Sequence, residues 1–372
     1  MKFDMNMKMT RNKNFRIGAI TVLLFFALGI LIGGYRVSLS MDGGLSSGSR
    51  FAGKSGSQLD SISVPKNVSM GEMVAQVREV FSEQGWETAY AFFVAIDKEY
   101  GATFSHEIGH VMGDLLYYEF GTEGAARCDD TSNYGCYHGI FSRAITEEGV
   151  GILEGAVEFC SADGQSMADI GGCLHGLGHG LLAFRGYEES HLVAALEDCE
   201  RTGKSAAESC YNGVYMEYNG RIMRTVEEGS QIGPEVLRPI DLQNPYEPCF
   251  DLPSQFQSAC VYELPNWWVT LPSVSTQDMI TFCEQITSTF AKECAGGVGR
   301  ILPFSNNYDL ETIHAYCTSF STEEKQMWCL QDVTKVYQGM KQYFASDVTM
   351  ERICMPLENS SSYKECMSLN WQ

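Results

Sequence analysis

The chain has 372 residues, with 47 acidic side chains against 26 Lys and Arg, so its formal net charge at pH 7 is −21. Nucleic acids and anionic lipid surfaces are polyanions, and this charge therefore predicts no nucleic acid among the partners. The same charge permits cationic peptides or metal ions as ligands, and it also favours simple solubility.

The N-terminus predicts export. Residues 1–16 form a basic segment with a single acid, Asp4, and residues 17–35 (IGAITVLLFFALGILIGGY) are uncharged. At about 1.5 Å per residue, a helix of this length just spans a hydrocarbon core. The basic segment places the N-terminus in the cytoplasm, so residues 17–35 are predicted to be a transmembrane signal-anchor. A cleaved signal peptide is the alternative, because the apolar run is short for an anchor.

The remainder of the chain is predicted to lie outside the cytoplasm. Residues 36–66 are rich in Ser and Gly and predict a flexible linker, which leaves residues 67–372 as the main domain. All 14 cysteines fall in this domain, between Cys128 and Cys366. An even number of cysteines is typical of a disulfide framework in an oxidising compartment. We therefore expect a periplasmic or cell-surface domain, held to the membrane by the N-terminal helix.

The cysteines form seven successive pairs, and the second members recur about every 36 residues. A period of this size is typical of helical-hairpin repeats. One longer step coincides with a proline-containing insertion at residues 229–248. The pairs are 128/136, 160/173, 199/210, 249/260, 283/294, 317/329 and 354/366.

Apolar residues precede most first cysteines at the spacing of one buried helix face, as in Leu153, Ala156, Val157 and Cys160. This predicts a helix B ending at the first cysteine, a short loop, and a helix A beginning at the second. Pairing across the loop is favoured because these loops are uniformly short. Pairing the start of each helix A with the end of the following helix B is the alternative. The predicted fold is all-α, with disulfide-stapled helical-hairpin repeats forming an α/α superhelix or a closed toroid.

An earlier unit without cysteines contains residues 103–112 (TFSHEIGHVM), where His106 and His110 lie one turn apart on one helix face. Glu107 stands between them. These ten residues, and no larger part of the chain, resemble the HExxH zinc-binding helix of zincin metallopeptidases. The resemblance implies that His106 and His110 bind zinc and that Glu107 is the general base.

The zincin resemblance also implies a third, downstream ligand. In the metzincin branch this is a histidine, but Leu116 stands at that position here. In the gluzincin branch it is a glutamate on a following helix. A fainter similarity is to lanthionine cyclases, α/α toroids whose adjacent Cys and His bind metal; here one residue separates Cys136 from His138. The candidate downstream glutamates are Glu119, Glu123 and Glu147.

Aligning the helices A places the histidines in two columns one turn apart, His106, His138 and His175 in one and His110 and His179 in the other. If neighbouring helices A pack side by side, the five rings converge. They are therefore predicted to bind zinc or another divalent transition metal. Histidines that only pack against the next repeat are the alternative. The glycines at positions 139, 176, 178 and 180 allow either close helix approach or room for a ligand.

Two functions are compatible with these features. The first is a membrane-anchored, metal-dependent hydrolase that acts on a peptide or related amide bond, with Glu107 as the catalytic base. The second is a non-catalytic helical-repeat module that binds a protein, a glycan or a metal ion. Glu107 discriminates between them, because it is the one strong acid or base expected beside the histidine columns. Gly139 and Gly176 occupy its place in the next repeats, and a binding module needs no such exception.

Overall fold

The computed structural model describes residues 62–161, 167–203, 207–221, 238–286, 289–339 and 348–368. These ranges contain α-helices and short 3-10 helices but no β-strand. No helix within them is long and apolar enough to cross a bilayer. The predicted basic segment, the predicted signal-anchor at residues 17–35 and most of the predicted linker lie outside the described residues.

The described part of the chain contains fifteen α-helices. In chain order they are α1 (Met70–Gln84), α2 (Trp86–Tyr100), α3 (Ala102–Phe120), α4 (Gly135–Glu148), α5 (Leu153–Cys160), α6 (Met167–Arg185), α7 (Glu189–Cys199), α8 (Ala207–Gly220), α9 (Ser254–Trp268), α10 (Thr276–Gln285), α11 (Ala291–Ser305), α12 (Leu310–Thr318), α13 (Glu323–Gly339), α14 (Met350–Cys354) and α15 (Tyr363–Cys366).

The helices alternate between an inner and an outer row, as the cysteine period predicts. The inner row consists of the helices A, and each of them packs on the next in chain order. Helices α2, α5, α7, α10 and α12 are helices B, and each packs on the inner helix that follows it. The predicted all-α repeat fold is thus confirmed. The inner helices are α3, α4, α6, α8, α9, α11, α13 and α15.

The disulfide scheme across the loops is confirmed. All seven predicted pairs are bonded, with Cα atoms 5.4 to 6.0 Å apart, and no cysteine among the described residues is free. Each bond joins a cysteine that precedes an inner helix to a cysteine within that helix, which is the second residue in α4 and the last residue in α15. The hairpins are therefore stapled one by one, which is consistent with an oxidising environment.

The outer helices bury the face that their apolar spacing indicates. In α7, Leu192, Ala195 and Leu196 are buried with Cys199 against the inner row. Local signals fix some starts, as in α10, where the Ser275 side chain accepts from the Asp278 amide in a capping box. The unit before Cys128 departs from the pattern, since its outer element is the 3-10 helix Gly121–Arg127.

Candidate metal centre

Glycines bring the first inner helices into backbone contact. A Cβ atom added at Gly139 would collide with the His110 carbonyl oxygen, and one added at Gly176 would lie 2.7 Å from the His138 Cα. Added at Gly178 or Gly180, it would meet the backbone of the next or the preceding inner helix. Such close approach offsets the cost of glycine inside a helix, roughly 1 kcal/mol each. Of the two predicted reasons for these glycines, helix approach is the one present.

This close packing brings all five predicted histidines together. Their ring centroids are 4.8 to 5.8 Å apart for seven pairs, including His110 with His179 across the intervening helix α4. They form two sets of three whose ligand atoms all lie within 4.8 Å of one another. We call His106, His110 and His138 the first triad, and His138, His175 and His179 the second triad.

Three of the five rings form hydrogen bonds on the side that faces away from the other histidines. The Nδ1 of His106 lies 2.8 Å from the carbonyl oxygen of Ser132, which stands in a left-handed turn (φ 56°) just before α4. The Nδ1–H of His106 therefore donates to this oxygen, and the Nε2 lone pair faces the cluster. The ring of His175 likewise has a hydrogen bond to the backbone of Ser209.

His179 is held by a buried carboxylate. Its Nδ1 lies 3.0 Å from Oε2 of Glu217, which is fully buried on α8. The Tyr187 hydroxyl donates to the other oxygen of Glu217 at 2.6 Å. A carboxylate on the outer nitrogen of an imidazole is the usual arrangement around metal-binding histidines, because it orients the ring and makes it a stronger ligand.

The inner nitrogens are close together and partly without partners. The Nε2 atoms of His106 and His110 are 3.1 Å apart, as are those of His175 and His179. Within the described residues, no hydrogen-bond partner reaches His110 Nδ1 or either ring nitrogen of His138. A buried polar atom without a partner is costly, on the order of 1–3 kcal/mol. An ion held by these rings would bind to nitrogens that face the cluster.

Burial lowers the pKa of four of the five rings and so favours their neutral form. It lowers the pKa of His106 from 6.5 to about 4, although the Ser132 backbone hydrogen bond acts in the opposite direction. Burial first, and then the neighbouring rings, hold the pKa of His110, His138 and His175 well below 6.5. Neutral imidazole is the form that binds metal.

The geometry fits a metal ion. Two nitrogens bound to Zn²⁺ at about 2.0–2.1 Å and the tetrahedral angle are roughly 3.3–3.4 Å apart, close to the 3.1 Å of the two Nε2 pairs. Either triad offers three imidazoles, the number of protein ligands that a catalytic zinc usually has. The cluster could therefore hold a metal ion.

Glu107 lies half-buried beside the cluster, on α3. Burial raises its pKa from 4.5 to about 7, with His179 lowering it and Glu217 raising it. Among the described residues it forms no hydrogen bond and no ion pair. It is a carboxyl group on the same helix as His106 and His110.

Other predicted ligands do not reach the cluster. Glu119, Glu123 and Glu147 are exposed, so none of the downstream glutamates suggested by the zincin resemblance joins the histidines. The third imidazole of the first triad comes instead from the next repeat. Cys136 and Cys173, which the cyclase similarity would make metal ligands, are in disulfides.

The prediction that Glu107 is the one acid beside the columns is wrong. Glu217 is buried against His179, and Glu263 and Asp332 occupy the Glu107 column in later repeats. Continuing the helix A alignment past the last histidine would have located Glu263 and Asp332. Glu217 lies one position beyond the second column, where only the packing of α8 on α6 reveals its role.

No family model, no curated protein and no solved structure matches the chain.

Proposed function

We propose that this protein is a membrane-anchored, extracytoplasmic metal-dependent hydrolase that cleaves a peptide or related amide bond. The observation that carries the proposal is the first triad with Glu107 beside it. Three imidazoles from two repeats, two of them buried and one half-buried, offer ligand atoms within 4.8 Å of one another, and Glu107 follows His106 directly on the same helix. This is the set of groups that a metal-assisted hydrolysis requires.

Zinc is the metal that the donor set favours. Three neutral imidazoles suit Zn²⁺ among the common divalent ions, and they leave a fourth position for water or substrate. A bound Zn²⁺ would supply Lewis acidity, which lowers the pKa of a water molecule and polarises the amide carbonyl. His106, His110 and His138 would hold it, with the Ser132 carbonyl fixing the orientation of His106.

Glu107 acts as the general base. It accepts a proton from the attacking water and returns it to the leaving amine, which is the transfer expected of a carboxyl group between two ligands of an HExxH helix. Its half-buried position keeps it in reach of solvent and substrate. The absence of a cation partner within the described residues leaves its oxygens free to move the proton.

Glu263 and Asp332 differ from Glu107 in their partners. They occupy the same column but are bonded to Arg300 and to Tyr262 and Lys335, respectively. A carboxyl group at this column is therefore a structural element in the later repeats. Glu107 differs from them because it has no such partner, and this difference favours catalysis over the binding-module alternative.

The location rests on the N-terminal sequence and on the disulfides. Seven stapled hairpins are typical of an oxidising compartment, and the basic, then apolar, N-terminal sequence supports export from the cytoplasm. The membrane is thus a partner through residues 17–35, and the substrate is an extracytoplasmic peptide or protein.

The test is Glu107→Gln in the full chain, loaded with Zn²⁺. We expect bound zinc to be retained, because Glu107 is not a ligand. Hydrolysis of a mixed library of fluorescence-quenched peptides should fall by roughly 10²–10⁴-fold, since an amide cannot accept the proton. Glu119→Gln, an exposed change on the same helix, is the matched control and should retain both zinc and activity.

His110→Ala and His179→Ala should each weaken zinc binding, although they lie on different repeats. Retained hydrolysis in Glu107→Gln, or a wild-type protein that binds zinc but cleaves no peptide, would contradict the hydrolase. If the wild type binds no zinc at all, the five rings are packing residues and the binding-module function replaces this one.

A further inference from the structure

The two triads overlap in a single residue. His106 and His110 belong only to the first triad, His175 and His179 only to the second, and His138 belongs to both. Five histidines exceed the three protein ligands of one catalytic zinc ion. They supply three ligands to each of two ions when one ring is shared, and the geometry selects the ring to be shared.

His138 is also the ring whose nitrogens are most fully open. It is buried, on α4 between α3 and α6, and neither nitrogen has a hydrogen-bond partner among the described residues. Its ring centroid is 5.0 Å from that of His106 on one side and 4.8 Å from that of His175 on the other. His106 and His179 each have one nitrogen bonded on the outer side and offer only the other.

A neutral imidazole has one N–H donor and one lone pair. A single metal ion on His138 would satisfy the lone pair and leave a buried N–H without an acceptor. Two ions satisfy both nitrogens. This difference separates a bridging role from the reading in which some of the five histidines only support a single ion.

We infer that the centre binds two divalent metal ions, one in each triad, bridged by the deprotonated ring of His138. The second ion takes the place of the N–H proton: the N–H bond breaks, a metal–nitrogen bond forms with the nitrogen pair, and the proton goes to solvent. No electron is transferred. The inference rests on the metal-binding part of the proposed function and not on hydrolysis.

The bridge also separates the roles of the ions. The width of the ring adds to two metal–nitrogen bonds, so the ions lie farther apart than the ~3.5–4 Å of sites in which two metals act on one oxygen. The first triad, beside Glu107, is then the hydrolytic position. The second triad, with Glu217 behind His179, is a second metal site that orients His138.

Copper tests the bridge, because two Cu²⁺ ions on one imidazolate couple magnetically. The full chain, freed of metal with a chelator, is titrated with Cu²⁺, and bound copper is compared with the integrated electron paramagnetic resonance signal. We expect two equivalents in the wild type, with most of the uncoupled signal lost. His175→Gln should bind one equivalent with its full uncoupled signal, and so should His106→Gln.

In His138→Gln, whatever copper remains should give an uncoupled signal. His314→Gln is the matched control, since this ring bonds to the Ile353 carbonyl outside the cluster and its loss should leave two coupled ions. One equivalent in the wild type, two uncoupled ions, or coupling that survives His138→Gln would overturn the bridge.

The outcomes also separate this inference from the proposed function. One bound ion together with hydrolysis that depends on Glu107 overturns the bridge alone. Two coupled ions without peptide hydrolysis overturn the hydrolase alone. No bound metal overturns both.

Discussion

The first and the later inner helices carry different polar groups on the face that holds the histidine columns. The column of His110 and His179 continues as Arg300 on α11 and Lys335 on α13. The adjacent column of Glu107 holds Glu263 on α9 and Asp332 on α13. Arg300 donates to Glu263 at 2.6 Å, and its guanidinium carbon lies 4.9 Å from the centre of the Tyr262 ring. Asp332 accepts from the Tyr262 hydroxyl at 2.8 Å and from Lys335 at 2.9 Å.

The difference lies in where each group finds its partner. In the later helices Arg300 is paired with Glu263, and Lys335 is paired with Asp332. Glu263 Oε1 and Arg300 Nε nevertheless keep no hydrogen bond within the described residues. In the first helices the inner nitrogens face the other rings, and His138 has no partner at either nitrogen within the described residues. The same repeat fold therefore pairs charged side chains with one another in its later helices, which we call the charged half. In its first helices it leaves ring nitrogens without hydrogen-bond partners among the described residues.

The largest expected effect is a loss of stability when one charge of the charged half is removed. Arg300→Met leaves Glu263, which is 1% exposed, as a buried carboxylate without a counter-ion. Loss of one partner of a buried pair costs about 3–5 kcal/mol, and we expect the lower end because the Arg300 side chain is 22% exposed. Urea unfolding of the disulfide-intact protein measures it.

The double variant Arg300→Met with Glu263→Leu is the control and should recover most of that stability, because no unpaired charge remains. Bound zinc should be unchanged in both variants. A single variant as stable as the wild type, or one that loses its zinc, would show that the two halves do not differ as described.

A smaller effect on zinc affinity is expected when the same substitution, Glu to Gln, is made at two buried carboxylates. Glu217→Gln removes the negative charge behind His179, and loss of such an outer partner typically lowers metal affinity by about 10–100-fold. Glu263→Gln makes the same change in the charged half, where the carboxylate holds Arg300. We expect it to leave zinc affinity nearly unchanged. Competition with a zinc chelator measures both, and equal losses would contradict the comparison.

The smallest effect concerns pH in the metal-free protein. Burial, and then the neighbouring rings, hold the pKa of His138 well below its unfolded value near 6.5. The folded state therefore binds fewer protons than the unfolded state below pH 6.5, so the stability that neutral His138 contributes is present above pH 6.5 and is lost on acidification.

His138→Gln removes this contribution. Below pH 6.5 its free energy of unfolding should fall less steeply than that of the wild type, by at most about 1.4 kcal/mol per pH unit. Glu107, whose pKa is raised to about 7, has the opposite effect in both proteins, so the difference between them is the quantity to measure. Parallel curves from pH 7 to 5 would mean that His138 is not held neutral by the fold.

Much of the architecture was determined by the sequence alone. The cysteine period and the spacing of Leu192, Ala195 and Leu196 are local properties of the chain, and each hairpin closes within its own repeat. The helices, the seven disulfides and the two histidine columns could therefore be predicted without knowing how the repeats pack. The convergence of the five rings followed from placing neighbouring inner helices side by side.

Only the tertiary structure decided which groups meet across helices. The contacts of His106 with the Ser132 carbonyl and of His179 with Glu217 depend on how closely the inner helices approach and how each ring turns. Gly139 shows why the sequence was insufficient. A glycine at this position is compatible with close helix packing and with an open site, and only the structure shows that the His110 carbonyl oxygen lies against it. The sharing of His138 between the triads has the same cause, since it depends on the distances from α4 to both of its neighbours.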